Sequence, residues 1–209
     1  MGKATEHNSS IGVYFWSLLF LLSIVVFIVY FRFYSIFNDH NERIKNLPYQ
    51  PIETIGHSMN MELREPVVLT IPDSDISVHL NQVDFENSQL LGQYKNNSDG
   101  TGFLSLDSKH FIGSPINDCS YTTVLTHSPG DGVNYYYLST FRYDAERQAI
   151  THVDSEYLGY NLKIHDLTLK GDLVKANVSS NHDGYQKLSV LATLKSNAEL
   201  ELLSLRQQY

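Results

Sequence analysis

From Ile11 to Tyr30 the chain reads IGVYFWSLLFLLSIVVFIVY, 20 residues without a charge. At about 1.5 Å rise per residue, a helix of that length reaches roughly 30 Å, the thickness of a bilayer's hydrocarbon core. Buried helices of water-soluble domains rarely run so far without a polar break. Tyr14 and Trp16 stand near one end of the run, and Tyr30, Phe31, Phe33 and Tyr34 near the other. Such girdles mark the two interfaces of a spanning helix. The pattern predicts a transmembrane helix over residues 11–34, preceded by a short tail, residues 1–10. The run is longer than the apolar region of a signal peptide, about 7–15 residues. Bulky FRFYSIF follows it, with no small-residue cleavage site and no lipid-accepting cysteine. The expectation is therefore an uncleaved anchor.

Beyond the anchor the chain turns polar, with Pro48, Pro51 and Gly56. Residues 35–62 read as a juxtamembrane linker, and residues 63–209 as one domain, long enough to bury a stable core. Short apolar runs recur there with turn residues between them. Val67–Ile71 precedes Pro72-Asp73, and Ile76, Val78 and Leu80 alternate with Ser77 and His79. Gly102–Leu106 is another short run. Three pairs of runs are joined by Gly-, Asp- or Asn-containing loops: Tyr121–Thr126 with Asn134–Tyr143, Leu162–Leu169 with Leu173–Val178, and Tyr185–Leu194 with Ala198–Leu205. Leu162 and Ile164 fall out of phase with Leu167 and Leu169, which predicts a bulge near His165-Asp166. No helical period is visible after residue 50. The fold expected is all-β: an antiparallel, hairpin-built sheet forming a sandwich, a curved sheet or a partly open barrel.

Charge narrows the partners. With 15 Lys and Arg against 23 Asp and Glu, the net charge is −8, the opposite of a nucleic-acid footprint. Residues 43–209 carry 13 bases and 20 acids, so the acidity lies beyond the anchor. The bilayer itself is the one partner expected; a protein or envelope partner is not specified by the sequence. Lys3 on one flank against Arg32, Arg43 and Lys45 on the other would place the large domain in the cytoplasm by the positive-inside rule.

Candidate chemistry is sparse. Gly56-His57-Ser58-Met59-Asn60 approaches the G-x-S-x-G nucleophile elbow, but Asn60 replaces the last Gly, and no strand–helix alternation surrounds it. A Gly-x-Ser-Met segment just beyond an N-terminal anchor also resembles the serine motif of type I signal peptidases. In those β-rich exported enzymes, a buried lysine of lowered pKa deprotonates the serine. Lys109-His110-Phe111-Ile112-Gly113-Ser114-Pro115 resembles that family's lysine segment. The resemblance implies Ser58 as nucleophile and Lys109 as base. Met61-Glu62 replace the Pro-Thr that the family carries after Ser-Met. The nine histidines are scattered without a metal-ligand spacing, and Asp73-x-Asp75 and Asn181-His182-Asp183-Gly184 lack the calcium-loop pattern. No metal and no cofactor is expected. The single cysteine, Cys119, permits no internal disulfide. Tyr135-Tyr136-Tyr137 lies on a predicted strand, with Tyr135 and Tyr137 on one face. Together with Asp131 in the glycine-rich loop before them, these two are the candidate ligand-binding residues. Asn96-Asn97-Ser98 and Asn177-Val178-Ser179 are formal glycosylation sequons.

Read in order, Glu65-Pro66-Val67-Val68-Leu69, then LTHSPGDGVNYYYLSTF at Leu125–Phe141, then DSEYLGYNLKIHDLTL at Asp154–Leu169 with its hairpin, resemble a bacterial cell-envelope β domain of secreted proteins and lipoproteins. The likeness covers roughly residues 62–190. It implies a location outside the cytoplasmic membrane and carries no established activity. Ile116-Asn117-Asp118-Cys119 replaces the acidic loop that relatives carry, and Asn181–Gly184 stands where many have cysteines. The reading that follows is a single-pass envelope protein of the inner membrane. Its β domain, exposed on the extracytoplasmic side, acts as a non-enzymatic binding or structural module. A membrane-bound Ser/Lys peptidase and a cytoplasmic-facing adaptor are the alternatives.

Overall fold

The structure, a computed structural model, describes residues 16–32, 44, 46–95, 100–114, 119–180 and 186–208. The tail 1–10, the ends of the expected span at 11–15 and 33–34, the first sequon, and residues 116–118 and 181–184 lie outside the described residues. The chain divides into two compact units, residues 1–46 and 47–209.

In the first unit, helix α1 covers residues 16–32, and every one of its side chains is exposed. Its large apolar residues, from Trp16 through Phe20 and Val25 to Phe31, occupy all faces of the helix. Phe27 and Phe31, one turn apart, stack at 6.1 Å. Among the described residues, no helix is long and apolar enough to cross a membrane.

Among the described residues, the second unit is all-β and antiparallel, apart from one short helix. A seven-stranded sheet has the order β3-β4-β5-β7-β8-β9, with β6 pairing β7. Its strands are β3 (Gln82–Asp84), β4 (Gln89–Lys95), β5 (Thr101–Asp107), β6 (Ile112–Gly113), β7 (Ser120–Ser128), β8 (Tyr135–Asp144) and β9 (Ala149–Tyr160). A four-stranded meander contains β10 (Leu162–Lys170), β11 (Leu173–Ser180), β12 (Gln186–Leu194) and β13 (Leu200–Gln208). A separate hairpin pairs β1 (Val67–Thr70) with β2 (Ser77–Leu80). The three loop-joined pairs expected from the sequence are the hairpins β7-β8, β10-β11 and β12-β13. The bulge expected near His165 falls between Ile164 and Asp166.

The large sheet is covered on both faces, and period-2 alternation along β8 shows why. Tyr137 and Phe141 enter one core with Leu104, Leu125, Val67, Leu69, Val78 and Leu80. Leu138, on the opposite face, enters a second core with Leu158, Val174, Ala176, Val190 and Ala192 of the meander. The hairpin β1-β2 therefore lies on one face and the meander on the other. The layers meet closely at Gly92, where a Cβ would stand 2.6 Å from Val78 Cγ1 and collide with the His79 backbone. At Gly159–Asn161 the chain leaves β9 for β10, with φ of +143° at Gly159 and +47° at Asn161. Glycine and asparagine tolerate those conformations.

Residues 47–62, expected as linker, are part of this second unit. Helix α2 (Ile52–Ser58) starts at Pro51 and buries Ile55, and Met59 beyond it joins the same core. The Gln50 N–H donates to the Asn81 carbonyl at 2.8 Å, and Tyr49 forms a β-bridge with Gln82. Ile52, Ile55 and Met59 make a helical face only two turns long, too short for its period to stand out from a polar background.

Candidate binding face

Helix α2 explains the motif that imitated a nucleophile site. Its end is a Schellman motif: the Met61 N–H donates to the Gly56 carbonyl at 2.9 Å and the Asn60 N–H to the His57 carbonyl at 3.1 Å, with Asn60 left-handed at φ +57°. Gly56 is required because a Cβ there would stand 2.6 Å from the Met61 carbonyl oxygen. The Ser58 hydroxyl donates to the Ile55 carbonyl at 2.7 Å. Ser58 lines a shallow depression with His57, Phe85, Ser88 and Ser108, so the fold does bring it near the segment of Lys109. Lys109 itself is exposed in the turn after β5, where its N–H donates to Asp107 Oδ1 at 3.0 Å. No hydrogen bond joins Ser58 and Lys109 among the described residues. The arrangement lacks the buried ammonium beside a free hydroxyl that a Ser/Lys mechanism needs.

The described sequon residue Asn177 lies inside β11, with its side-chain oxygen accepting from the Ser189 hydroxyl at 2.8 Å. Asp73 and Asp75 lie in the β1-β2 turn. Among the described residues, no three His, Cys, Asp or Glu side chains are grouped to hold a metal ion.

The tyrosines of β8 are different, because the sheet gathers others around them. Register sets His127 of β7 opposite Tyr135, and Tyr135 opposite Tyr160 of β9. The next row on the same face sets Leu125 opposite Tyr137 and Tyr137 opposite Tyr157, the bulge after Tyr136 keeping Tyr157 in line. Tyr136 points to the other core, as alternation requires. Tyr94 of β4 joins from two strands away. It sits opposite Gly102 of β5, whose missing Cβ leaves the space that the Tyr94 ring occupies. The ring thereby crosses β5, and its hydroxyl lies 2.5 Å from His127 Nε2.

Ring contacts join these side chains in two groups, Tyr94–His127–Tyr135 and Tyr137–Tyr157. Tyr94 and His127 have centroids 5.8 Å apart, His127 and Tyr135 6.1 Å, and Tyr137 and Tyr157 5.4 Å. These spacings fall within the range for favourable aromatic pairs. Tyr137 is the buried floor at 8 % exposure, while Tyr157 and Tyr160 stand out at 47 % and 44 %. Two carboxylates flank the row. Asp131, at the tip of the β7-β8 loop, acts on Tyr94 and His127; Asp73, in the β1-β2 turn, acts on Tyr137.

The loop tip is held in place by backbone and side chain together. Gly130 and Gly132 take φ of +96° and +88°, and the Val133 N–H donates to Asp131 Oδ1 at 3.0 Å. Below the tip the Asn134 N–H donates to Asn161 Oδ1 at 3.0 Å and the Asn161 N–H returns to the Asn134 carbonyl at 2.7 Å. This clamp fixes the start of β8 to the β9-β10 corner.

The electrostatics keep the face uncharged apart from its rim. Burial raises the phenol of Tyr94 above its ordinary value, and Asp131 adds to the shift. Burial also raises Tyr137, with Asp73 and the neighbouring tyrosines adding to it. Tyr157 moves the same way, from burial first and then from Tyr135 and Tyr160. His127 is lowered by burial against the opposing pull of Asp131. At neutral pH Tyr94, Tyr137 and Tyr157 therefore keep their protons, and the His127 imidazole is neutral. The Tyr94 hydroxyl and His127 Nε2 share a hydrogen bond.

Of the residues singled out in the sequence, Tyr135, Tyr137 and Asp131 belong to this face. Tyr94, His127, Tyr157 and Tyr160 come from other strands and were not singled out. Comparison with protein-family models, curated proteins and solved structures finds no match to this chain.

Proposed function

We propose that this chain is a single-pass, membrane-anchored envelope protein whose β domain is a non-enzymatic binding module, with the tyrosine face as its binding surface. The observation that carries the binding role is the set of aromatic side chains that strand register gathers on one face. Tyr157 and Tyr160 leave nearly half their surface in solvent beside a buried floor and two carboxylates. Rigid aromatic groups on paired strands lose little entropy on contact with a ligand, which suits them to recognition.

The anchor reading rests on α1, whose 17 described residues expose apolar side chains on every face and carry no charge before Arg32. A helix apolar all round has no stable exposed state in water. The extracytoplasmic side rests on the resemblance of residues 62–190 to envelope domains, against the flanking charges. Cys119 is exposed and is the only thiol, so it reports topology directly. In intact cells, with any outer membrane permeabilised, a membrane-impermeant thiol reagent should label the native protein and leave Cys119→Ser blank. Protection until lysis would refute the outside placement and favour the cytoplasmic adaptor. For the binding role, the full chain should capture partners from envelope extract, and Tyr157→Ala with Tyr160→Ala should abolish that capture. Undiminished capture would refute the face.

A further inference from the structure

The face of the large sheet that carries the meander holds a second site, which does not rest on the tyrosine face. We propose that the cleft beneath the β12-β13 turn binds a neutral sugar ring, with the Ser120 hydroxyl as its deepest contact.

The cleft has a volume of about 570 Å³ and is lined by Ser114, Asp172 and the run Thr193–Asn197. That volume lies within the range of small-molecule sites. Register builds its floor. Ile112 pairs with Thr122 and packs against the meander core, so Ser114 and Ser120, each two residues away along its strand, lie on that same face. The Ser114 N–H donates to the Ser120 carbonyl at 2.7 Å, and Arg142 stands opposite Ser120 on its other side. The turn is clamped over this row. The Thr140 hydroxyl donates to the Ala198 carbonyl, and Arg142 Nη2 donates to the Asn197 carbonyl at 2.7 Å. The Leu194 N–H donates to the Asp172 carbonyl at 2.7 Å, which ties in the β10-β11 turn. The walls are therefore set before a ligand arrives, and that lowers the entropic cost of binding.

Ser120 points to a ligand. Its side chain is 1 % exposed, and among the described residues its hydroxyl has no hydrogen-bond partner. Burying a hydroxyl in that state is costly, and such groups are few in folded chains. Its neighbour Ser114 lines the cleft, so a ligand hydroxyl seated against Ser114 would supply the missing partner.

The lining selects the kind of ligand. The side chains of Ser114, Thr193, Ser196 and Asn197 can each both donate and accept, as a sugar hydroxyl does. Among the described residues, Leu194 is the one apolar side chain on the lining, which leaves no platform for an apolar ligand. The charges are mixed. Asp172 and Lys195 line the cleft with opposite signs, Lys195 Nζ lies 3.5 Å from Glu201 Oε2, and Arg142 holds the turn. Such a set exerts no net pull on an ion of either sign and suits a neutral ligand.

The test is a titration of the full chain, in a polyoxyethylene detergent without sugar headgroups, with D-glucose and N-acetyl-D-glucosamine. Binding is followed through the amide NMR signals of Ser114, Ser120 and Asn197, with glycine as the zwitterionic probe and sulfate as the anionic one. At least one sugar should shift these signals saturably. Ser120→Ala should weaken that sugar about tenfold, the scale of one lost hydrogen bond. The same variant should not lower the thermal midpoint of the free protein, because it removes an unpartnered group. Thr193→Ala, on the wall, should weaken the sugar several-fold. No response to either sugar overturns the proposal, and so does sugar binding that survives both substitutions. A lowered midpoint for Ser120→Ala overturns the premise that its hydroxyl lacks a partner. Glycine binding without sugar binding replaces the sugar by a zwitterion, and sulfate binding that Asp172→Asn strengthens replaces it by an anion; either overturns the assignment.

Discussion

Ile55→Ala tests whether residues 47–62 belong to the folded domain. Ile55 is 2 % exposed and shares a core with Val67, Leu69, Val78 and Leu80 of the β1-β2 hairpin. The substitution removes three carbons, worth about 0.8 kcal/mol each when buried, or roughly 2.4 kcal/mol. Space left unfilled adds about 24 cal/mol per Å³. Helix α2 cannot easily sink to fill it. The chain just before it is tied to the sheet by the Gln50 N–H to the Asn81 carbonyl and the Tyr49–Gln82 bridge, and its Schellman end holds Gly56 against the Met61 carbonyl. The loss should therefore be about 3–4 kcal/mol, within the usual span for such truncations. For a domain of this size, each kcal/mol moves the thermal midpoint by about 2–4 °C, so the expected drop is about 6–16 °C. The assay is thermal unfolding of the full chain in mild detergent, followed by the β signal in circular dichroism. Glu53→Ala, exposed on the same helix, is the control and should stay within about 0.5 kcal/mol of the parent. An Ile55→Ala midpoint indistinguishable from that control would refute the packing of α2 and return residues 47–62 to the role of a linker.

Gly102→Ala should displace the Tyr94 ring and break its contact with His127, read as a shift of the His127 ring nitrogens in NMR; an unchanged spectrum would refute the ring's path across β5. Gly92→Ala should destabilise the domain by about 1–3 kcal/mol by pushing β2 off β4, measured by urea unfolding. Acid should weaken the fold through His152, which packs on Phe141 at 5.3 Å, meets the Ser155 hydroxyl at 2.8 Å, and is lowered by burial against the pull of Asp154. Its folded pKa lies below the unfolded value of about 6.5, so its contribution is complete above that value and is lost as pH falls toward the folded pKa. His152→Gln should flatten that part of the stability profile, and an unaltered slope would refute the assignment.

What could be read from the chain depended on whether the signal was local. The hairpins β7-β8, β10-β11 and β12-β13 announce themselves because alternation and turn residues lie within one short window. Strand β9 does not: its Thr151–Glu156 stretch is polar, and only tertiary partners make it tolerable inside a sheet. Ser155 meets the Ser139 hydroxyl at 2.6 Å, and the Asp154 carboxylate accepts the Leu200 N–H at 2.9 Å. Helix α2 is too short to show a period, and Gly56-His57-Ser58 read as chemistry when it is a helix end. The binding face fails to show in sequence for a related reason. Tyr135 and Tyr137 stand out as part of a triplet, but Tyr94, His127, Tyr157 and Tyr160 become neighbours only through pairing across β4, β5, β7, β8 and β9. The one local trace of that assembly is Gly102, a glycine in a strand interior, which marks where a side chain from another strand passes over the backbone. A row of aromatics built this way depends on register. Since one residue of slip turns every side chain to the other face, the bulges flanking Tyr137 in its pairing with β9 are as much a part of the face as the rings they align.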